Sequence, residues 1–222
     1  MNPALGFFGG TFDPIHNGHL RCAFEVHHGL GLAQTFLLPN AIPPHKASPD
    51  VSPQQRLAMV ELAAQAHPEL AVDARELERD APSYTVDTLE ALRAEHPNTP
   101  LCFIVGMDSL LSLPRWHRPE RILELAHLVV CHRPGYRLAQ DAPVQSWLAK
   151  HGCDDPARLR RQSAGLIHLM PVTQLDIASS ELRAQMARGQ SPHFLLPTPV
   201  VAYIEQHRLY GINLGGNGPK SV

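Results

Sequence analysis

Two histidines three residues apart, His16 and His19, come shortly after a glycine pair in the string GGTFDPIHNGHL. Near the start of a helix, residues at this spacing share one face, so both imidazoles can contact the same ligand. Gly9 and Gly10 let the backbone approach that ligand closely, and Gly18 removes a side chain that would block it. The helix adds free N–H groups and the positive end of its dipole, which favour an anion. The string therefore predicts a phosphate site.

Two other interpretations of the histidine pair remain open at this point. An ordinary strand-to-helix turn can carry two surface histidines that bind nothing. A metal ion can also bind a histidine pair, although two ligands alone do not fill the coordination sphere of zinc.

A second cationic site is predicted late in the chain, in the string SSELR. Ser179 or Ser180 can cap a helix here. Arg183 fits this position poorly, because a cation near a helix N-terminus opposes the helix dipole. An anionic ligand would remove the misfit, and Ser180 and Arg183, three residues apart, would face it together. A solvated arginine on a surface helix is the alternative.

Apolar runs bounded by glycine or proline predict the strands, and apolar residues recurring at helical spacing predict the helices. The predicted strands are 4–8, 35–38, 70–72, 101–105, 128–131 and 166–170. Helices are predicted from Asn17 to a stop at Gly29 and Gly31, and at 53–67, 84–95, 179–188 and 198–208. This alternation predicts an α/β fold with a doubly wound, mostly parallel sheet and helices on both faces. Residues 1–210 are predicted to form a single domain and 211–222 a flexible tail.

In a doubly wound sheet, ligands bind at the carboxyl ends of the strands, where the strand order reverses. Candidate ligand residues follow three of the predicted strands: Asn40, His45, Lys46, Gly106, Asp108 and Arg133. Asn40, Lys46 and Arg133 could hold a phosphate, and Trp116 could stack on a flat ring. The alternatives are a solvated loop lysine at Lys46 and a core residue at Trp116.

Composition excludes several classes of protein. The 222 residues carry 19 Lys and Arg against 21 Asp and Glu, a net charge of −2, whereas a nucleic-acid binder is usually basic. No run approaches the roughly 18 apolar residues of a membrane-spanning helix, and the N-terminus is unlike a signal peptide. We therefore expect a cytoplasmic protein with no nucleic-acid or membrane partner. The four cysteines form no CxxC pair and are expected to be reduced.

The string GGTFDPIHNGHL resembles the signature of the HxGH nucleotidyltransferases. Over about residues 5–210 the chain resembles the bacterial nicotinate-nucleotide adenylyltransferases, in the strings NAIPPHK, RDAPSYTVDTL, FIVGMDSLLSLPRW, LVVCHRPG and SSELR. The chain departs from the family pattern at Ala178, where a serine is usual, and at His132, where an arginine pair is usual.

The resemblance implies a Rossmann-like nucleotidyltransferase fold and a reaction in NAD biosynthesis. ATP and nicotinate mononucleotide would give deamido-NAD and pyrophosphate, by in-line attack of the mononucleotide phosphate on the α-phosphorus of ATP. That phosphate is already an anion, so positioning and charge stabilisation would carry the catalysis. Mg²⁺ would be bound mainly through the substrate phosphates, with no metal site built by the protein.

The resemblance also implies the site residues. The ATP site would comprise Gly9, Gly10, Thr11, Phe12, His16, His19, Gly106, Asp108, Ser180 and Arg183. The mononucleotide site would comprise Asn40, His45, Lys46, Tyr84, Thr85, Trp116 and Arg133. His16 and His19 would contact the α- and β-phosphates and Arg183 the β/γ end, and these three residues would be catalytic. Asp108 would contact the adenosine ribose, and Thr85 and Trp116 would border the pyridine ring.

Rival functions differ in the acceptor or in the chemistry. The amide mononucleotide NMN, phosphopantetheine or a small alcohol phosphate could replace nicotinate mononucleotide. A catalytically silent nucleotide sensor would keep the fold and lose a phosphate ligand. The sequence leaves a homo-oligomer open.

Overall fold

Six parallel strands form one sheet in the computed structural model, which describes residues 3–40, 51–79, 84–132, 138 and 144–212. The strands are β1 (Leu5–Gly10), β2 (Gln34–Pro39), β3 (Leu70–Val72), β4 (Leu101–Gly106), β5 (His127–His132) and β6 (Ile167–Pro171). Their order is β3-β2-β1-β4-β5-β6, and every pairing is parallel. The predicted doubly wound sheet is confirmed. The strand order reverses between β1 and β4, which is where such a sheet opens a ligand crevice.

Eight helices are found in the described residues: α1 (Asn17–Leu30), α2 (Pro53–Ala64), α3 (Thr85–Glu95), α4 (Met107–Ser112), α5 (Pro119–Leu125), α6 (Gln145–His151), α7 (Ser179–Ala187) and α8 (Thr198–Gln206). Short 3₁₀ turns occupy Leu113–Arg115, Pro156–Arg160 and Leu209–Gly211. All five predicted helices are present, and their ends lie within three residues of the predicted ones. The sequence analysis missed α4, α5 and α6, which have six or seven residues each. Such helices span no more than two turns, too few for a helical period to stand out.

Alternate residues of β4 show how helices cover both faces of the sheet. Leu101, Phe103 and Val105 join a buried cluster that includes residues of α3 and α5. Cys102 and Ile104 join a cluster with residues of α1 on the opposite face. Because β4 is covered on both sides, its sequence is a continuous apolar run, as expected of a central parallel strand.

The end of α1 corrects one detail of the prediction. Gly29 lies inside the helix, and only Gly31 ends it. Gly31 has φ 59° and ψ 49°, a left-handed conformation that glycine adopts without steric cost, and its N–H donates to the carbonyls of His27 and His28.

The C-terminal end of the described chain is packed. Leu209 and Ile212 are buried in the same cluster as residues of α2 and α8. The packed chain thus reaches two residues into the predicted tail, whose residues 213–222 lie outside the described part, and the division into domain and tail stays a prediction. Of the helices described, none is long and apolar enough to cross a membrane.

Candidate active site

A cavity of about 340 Å³ opens at the carboxyl ends of β1 and β4, where the strand order reverses. Residues selected from the sequence make up much of its lining: Gly9, Gly10, Thr11, Asn40, Tyr84, Thr85, Gly106, Asp108 and Trp116. A larger and more open groove of about 680 Å³ runs between α2, β3 and α8, and none of the selected residues lines it. We assign the candidate site to the smaller cavity, because fold geometry and polar residues coincide there.

His16 and His19 cap α1, shortly after the cavity-lining residues Gly9, Gly10 and Thr11, but His16, His19, Ser180 and Arg183 are not themselves part of the cavity lining. His16 is the N-cap of α1, and its Nδ1 accepts from the backbone N–H of His19 at 3.3 Å. In return, Nδ1 of His19 accepts from the backbone N–H of His16 at 3.3 Å. The two rings stack with their centroids 3.6 Å apart. Because each Nδ1 accepts, each neutral ring carries its proton on Nε2, the nitrogen that can donate to an anion.

Burial controls the charge of His16. The side chain of His16 is buried, and burial lowers the pKa of His16 from 6.5 to about 4. His16 is therefore neutral at pH 7 in the ligand-free protein. A neutral ring with its proton on Nε2 is still a hydrogen-bond donor, so the phosphate-binding interpretation does not depend on a charged imidazole.

Two glycines of the loop make room for aromatic rings of the protein itself. A Cβ on Gly10 would lie 2.7 Å from the Phe12 ring. A Cβ on Gly18 would lie 3.0 Å from Nδ1 of His16. These glycines were predicted to leave space for a ligand, whereas their nearest neighbours in the structure are the rings of Phe12 and His16.

Phe12 belongs to the loop after β1 and packs against neighbouring aromatic rings. It is buried, its φ is 49°, and its ring meets the rings of His19 and Phe8 edge-on, with centroids 5.1 and 6.0 Å away. A left-handed backbone is costly for a residue with a Cβ, so packing must hold it there. The side chain is not part of the cavity lining. A contact of Phe12 with ATP, as expected from the resemblance, stays a prediction.

Arg183 reaches the loop from α7. Its Nη1 donates to the carbonyl oxygen of Asp13 at 2.8 Å and lies 3.6 Å from the Asp13 carboxylate oxygen Oδ2. Arg183 is the fifth residue of α7, so it lies just beyond the first turn. The Asp13 carboxylate supplies negative charge that offsets the unfavourable interaction of Arg183 with the positive end of the α7 dipole. Asp13 was not predicted as a site residue, because no local sequence pattern connects it to a residue 170 positions away.

Tyr210 and Arg56 complete this polar group, and the sequence analysis selected neither. The Tyr210 hydroxyl donates to Oδ1 of Asp13 at 2.7 Å. Arg56 of α2 is fully buried, and its Nη1 donates to the carbonyl oxygen of Thr11 at 2.6 Å. The guanidinium groups of Arg56 and Arg183 thus both contact the backbone of this loop, and positive charge at this place favours an anion.

The start of α7 differs from the prediction. Ala178 is the N-cap, and no side chain caps the helix. The predicted serine cap is therefore wrong, because Ser179 and Ser180 are already helical. Ser179 instead donates from its hydroxyl to the carbonyl oxygen of Pro14 at 3.0 Å, which ties α7 to the loop. Ser180 is exposed one residue later on the helix.

The opposite side of the cavity carries the residues predicted for the mononucleotide. Trp116 is half-buried, and its Nε1 donates to the Ser112 hydroxyl at 3.0 Å. Its ring lines the cavity and also packs against the main hydrophobic cluster, so the core interpretation is confirmed, and stacking on a ligand stays a prediction. Tyr84 is the N-cap residue of α3 and Thr85 is its first residue, which places both at the cavity edge.

Asn40 presents an unsatisfied atom at this cavity. Its backbone N–H donates to the carbonyl oxygen of Gly10 at 3.0 Å, which joins the ends of β2 and β1. Its side-chain Oδ1 is buried and has no hydrogen-bond partner within the described part of the chain. A buried polar atom without a partner is unusual and indicates a place for a ligand or a water. The remaining predicted contacts, His45, Lys46 and Arg133, lie outside the described residues.

Asp108 lies where β4 passes into α4. It is the second residue of α4, and its side chain is exposed at the cavity. A Cβ on Gly106 would lie 2.7 Å from its Oδ1, so glycine leaves space for this carboxylate. Among the described residues, no three His, Cys, Asp or Glu side chains are grouped so that they could hold a metal ion.

Comparison with known proteins agrees with this geometry. A model of the cytidylyltransferase-like family matches residues 7–186. A probable nicotinate-nucleotide adenylyltransferase of Aeromonas salmonicida is 53% identical over 210 residues, which cover 95% of this chain and 98% of that protein. The protein of the same name from Yersinia pestis is 48% identical over 91% of this chain and 93% of its own length.

Solved structures show the same fold at low sequence identity. The Plasmodium falciparum nicotinic acid mononucleotide adenylyltransferase complexed with NaAD has a TM-score of 0.72 and 16% identity, and it aligns over 96% of this chain and 100% of its own. The same enzyme complexed with APC has a TM-score of 0.71 over the same shares, again at 16% identity. The Rossmann-like nucleotidyltransferase fold expected from the resemblance is therefore confirmed.

Proposed function

The chain belongs to the cytidylyltransferase-like family and, within it, to the nicotinate-nucleotide adenylyltransferases, and on this basis we propose that it joins ATP and nicotinate mononucleotide to give deamido-NAD and pyrophosphate. One observation supports the proposal most directly. A single cavity at the strand-order reversal is lined by Gly9, Gly10 and Thr11, which lead to His16 and His19, and also by Tyr84 and Trp116. A reaction that joins two nucleotides needs the binding sites of both substrates side by side.

The donor side of the proposed reaction holds ATP as its magnesium complex. His16 and His19 donate from Nε2 to oxygens of the α- and β-phosphates. Ser180 and Arg183 contact the β/γ end. The guanidinium groups of Arg56 and Arg183, together with the N-terminus of α1, stabilise the charge that develops on the departing pyrophosphate.

The bond changes need no general base. A phosphate oxygen of nicotinate mononucleotide forms a bond to the α-phosphorus, and the bond from that phosphorus to the bridging oxygen of the β-phosphate breaks. The attacking oxygen is already ionised at neutral pH, and the electron pair of the broken bond leaves with pyrophosphate. The contribution of the protein is therefore alignment of the two substrates and charge stabilisation.

The acceptor side uses the pocket opposite the loop. Trp116 stacks on the pyridine ring, which Tyr84 and Thr85 border, and Asn40 donates from Nδ2 to the mononucleotide phosphate, while its buried Oδ1 can accept from a ribose hydroxyl. His45, Lys46 and Arg133 are further proposed contacts of the mononucleotide.

The deciding experiment measures pyrophosphate release from ATP and Mg²⁺ with nicotinate mononucleotide or NMN as acceptor. We expect release with the acid and at least about tenfold lower kcat/KM with the amide, the loss typical of one polar contact. Equal use of both acceptors would contradict the acid preference and retain adenylyl transfer. ATP binding without pyrophosphate release from either acceptor would contradict the proposed function and favour the nucleotide sensor.

A further inference from the structure

Three distant segments of the chain meet at the side chain of Asp13. The Tyr210 hydroxyl lies 2.7 Å from Oδ1, and Nη1 of Arg183 lies 3.6 Å from Oδ2. The carboxylate is buried, with only 4% of Asp13 exposed. Tyr210 comes 197 residues after Asp13, from the turn that follows α8.

A carboxylate at this place opposes the proposed function unless its charge is compensated. It repels a triphosphate bound at the same loop, and it competes with that triphosphate for Arg183. A buried carboxylate is tolerated when donors satisfy its oxygens. Arg56, buried on α2, acts on Asp13 by its charge, while the Tyr210 hydroxyl makes a direct hydrogen bond.

The environment of Tyr210 keeps its hydroxyl a hydrogen-bond donor. Burial, followed by the neighbouring Asp13 charge, raises the pKa of Tyr210 well above its usual value, so the hydroxyl stays protonated. The turn that carries it is also unusual, because Arg208 and Tyr210 both have left-handed backbones, with φ of 50° and 57°. Leu209, between them, is buried and anchors the turn. Packing thus maintains a conformation that costs energy and places the hydroxyl against Asp13.

We infer that Tyr210 is a positioning residue for ATP, which acts through Asp13 on Arg183. Its hydrogen bond occupies one oxygen of the carboxylate and draws charge away from the other. Asp13 then orients the Arg183 guanidinium through its carbonyl oxygen without binding it so strongly that the β/γ phosphates are excluded. This inference rests on the proposed function only in taking the phosphates of ATP as the ligand.

The test replaces Tyr210 by phenylalanine, which removes one oxygen and keeps the ring. Tyr203→Phe is the matched control, because Tyr203 is also half-buried and near the C-terminus but packs its ring on His207 at 4.2 Å, away from the loop. We measure the Kd of α,β-methylene-ATP with Mg²⁺ by calorimetry, and KM for each substrate. Tyr210→Phe should raise the Kd of the analogue and KM for ATP about tenfold, the effect of one hydrogen bond to a charged group. KM for the mononucleotide should stay within about twofold, and Tyr203→Phe should change neither value.

Tyr210→Phe in an Asp13→Asn background tests whether Tyr210 influences ATP binding through the charge of Asp13. An amide carries no charge to compensate, so adding Tyr210→Phe should change the Kd of the analogue less than about twofold there. An unchanged Kd in a folded Tyr210→Phe protein, or the same tenfold loss in both backgrounds, would overturn the inference. Failure of the proposed function is separable, because the analogue-binding arm contains no mononucleotide and requires no turnover.

Discussion

His16 and His19 use different ring nitrogens for structure and for the proposed chemistry. The Nδ1 atoms cap α1 by accepting each other's backbone N–H groups, as serine and glutamate do in an ordinary capping box. The Nε2 atoms then carry the protons that the proposed phosphate contacts need. Serine or aspartate would cap the helix but would not reach further, which gives a physical reason for histidine at both positions.

Replacing His19 by glutamine tests whether Nδ1 serves the helix cap and Nε2 serves the phosphate contact. Glutamine at the third helical position can still accept from the N-cap backbone, so α1 should keep its cap. The imidazole donor is lost, and we expect kcat to fall about 100-fold or more, as when one oriented donor to a developing charge is removed. His28→Gln, an exposed position on the same helix, is the control. Near wild-type turnover in a folded His19→Gln protein would refute the role of His19.

The lowered pKa of His16 predicts how stability depends on pH. In the unfolded chain His16 gains a proton near pH 6.5, whereas in the folded protein it does so only near pH 4. The unfolded state therefore binds more protons between these values, and stability falls as pH is lowered from 6.5 to 4, by about 3 kcal/mol from this residue. His16→Asn keeps an N-cap side chain and should flatten this part of the profile.

The measurement is urea unfolding at a series of pH values, with the variant subtracted from wild type. Subtraction removes the contributions of His27 and His127, whose pKa values burial also lowers. A difference between wild type and His16→Asn that does not change with pH would contradict the neutral, buried His16.

At the scale of elements, the turn from β4 to α4 positions the carboxylate of Asp108. Gly106 has φ −82° and ψ 169°, a conformation open to any residue, so its glycine is explained by space rather than by backbone strain. We predict that Gly106→Ala folds normally but displaces Asp108, because the added Cβ would lie 2.7 Å from Oδ1. KM for ATP should rise about tenfold through loss of the proposed ribose contact.

The control variant for that experiment is Gly29→Ala, near the C-terminal end of α1. Its Cβ would meet only the flexible end of Met170, and alanine raises helix propensity. Its kinetics should equal those of wild type. Unchanged kinetics in Gly106→Ala would remove Asp108 from the ATP site.

Long helices and the strands were predictable from the sequence, and the short helices were not. Strand β4 is a continuous apolar run, and α1 shows an apolar stripe, so both patterns are visible without knowledge of neighbours. Helices α4 and α5 depend on packing against the sheet rather than on their own periodicity: Leu110 and Ile122 are buried in the cluster around β4. Tertiary contacts decide whether such short segments form helices.

At the scale of the whole molecule, strand order assembles the cavity. The loop after β1 and the turn after β4 become neighbours because these two strands pair in parallel, although Gly10 and Gly106, the last residues of the two strands, are 96 positions apart in the chain. Both sides of the proposed reaction therefore lie on one rigid sheet edge, which favours alignment of two substrates for in-line transfer.

Metal removal should affect turnover and leave the fold unchanged. If magnesium is bound through the phosphates of ATP, EDTA should abolish pyrophosphate release, and added Mg²⁺ should restore it. The Tm of the ligand-free protein should shift by less than about 1 °C, because a metal stabilises only the state that binds it. A clear fall in Tm with EDTA would instead reveal a resident structural metal.

The sequence by itself determined the α/β class, the loop with His16 and His19, and most strand and helix positions. These properties are local, because glycine turns, helix starts and apolar periodicity act over a few residues. Only the tertiary structure decided that Asp13, Arg56, Arg183 and Tyr210 form one polar group, and that glycines of the loop accommodate the protein's own aromatic rings. Contacts between segments up to 197 residues apart depend on how the helices pack across the sheet, and no local pattern in the chain encodes them.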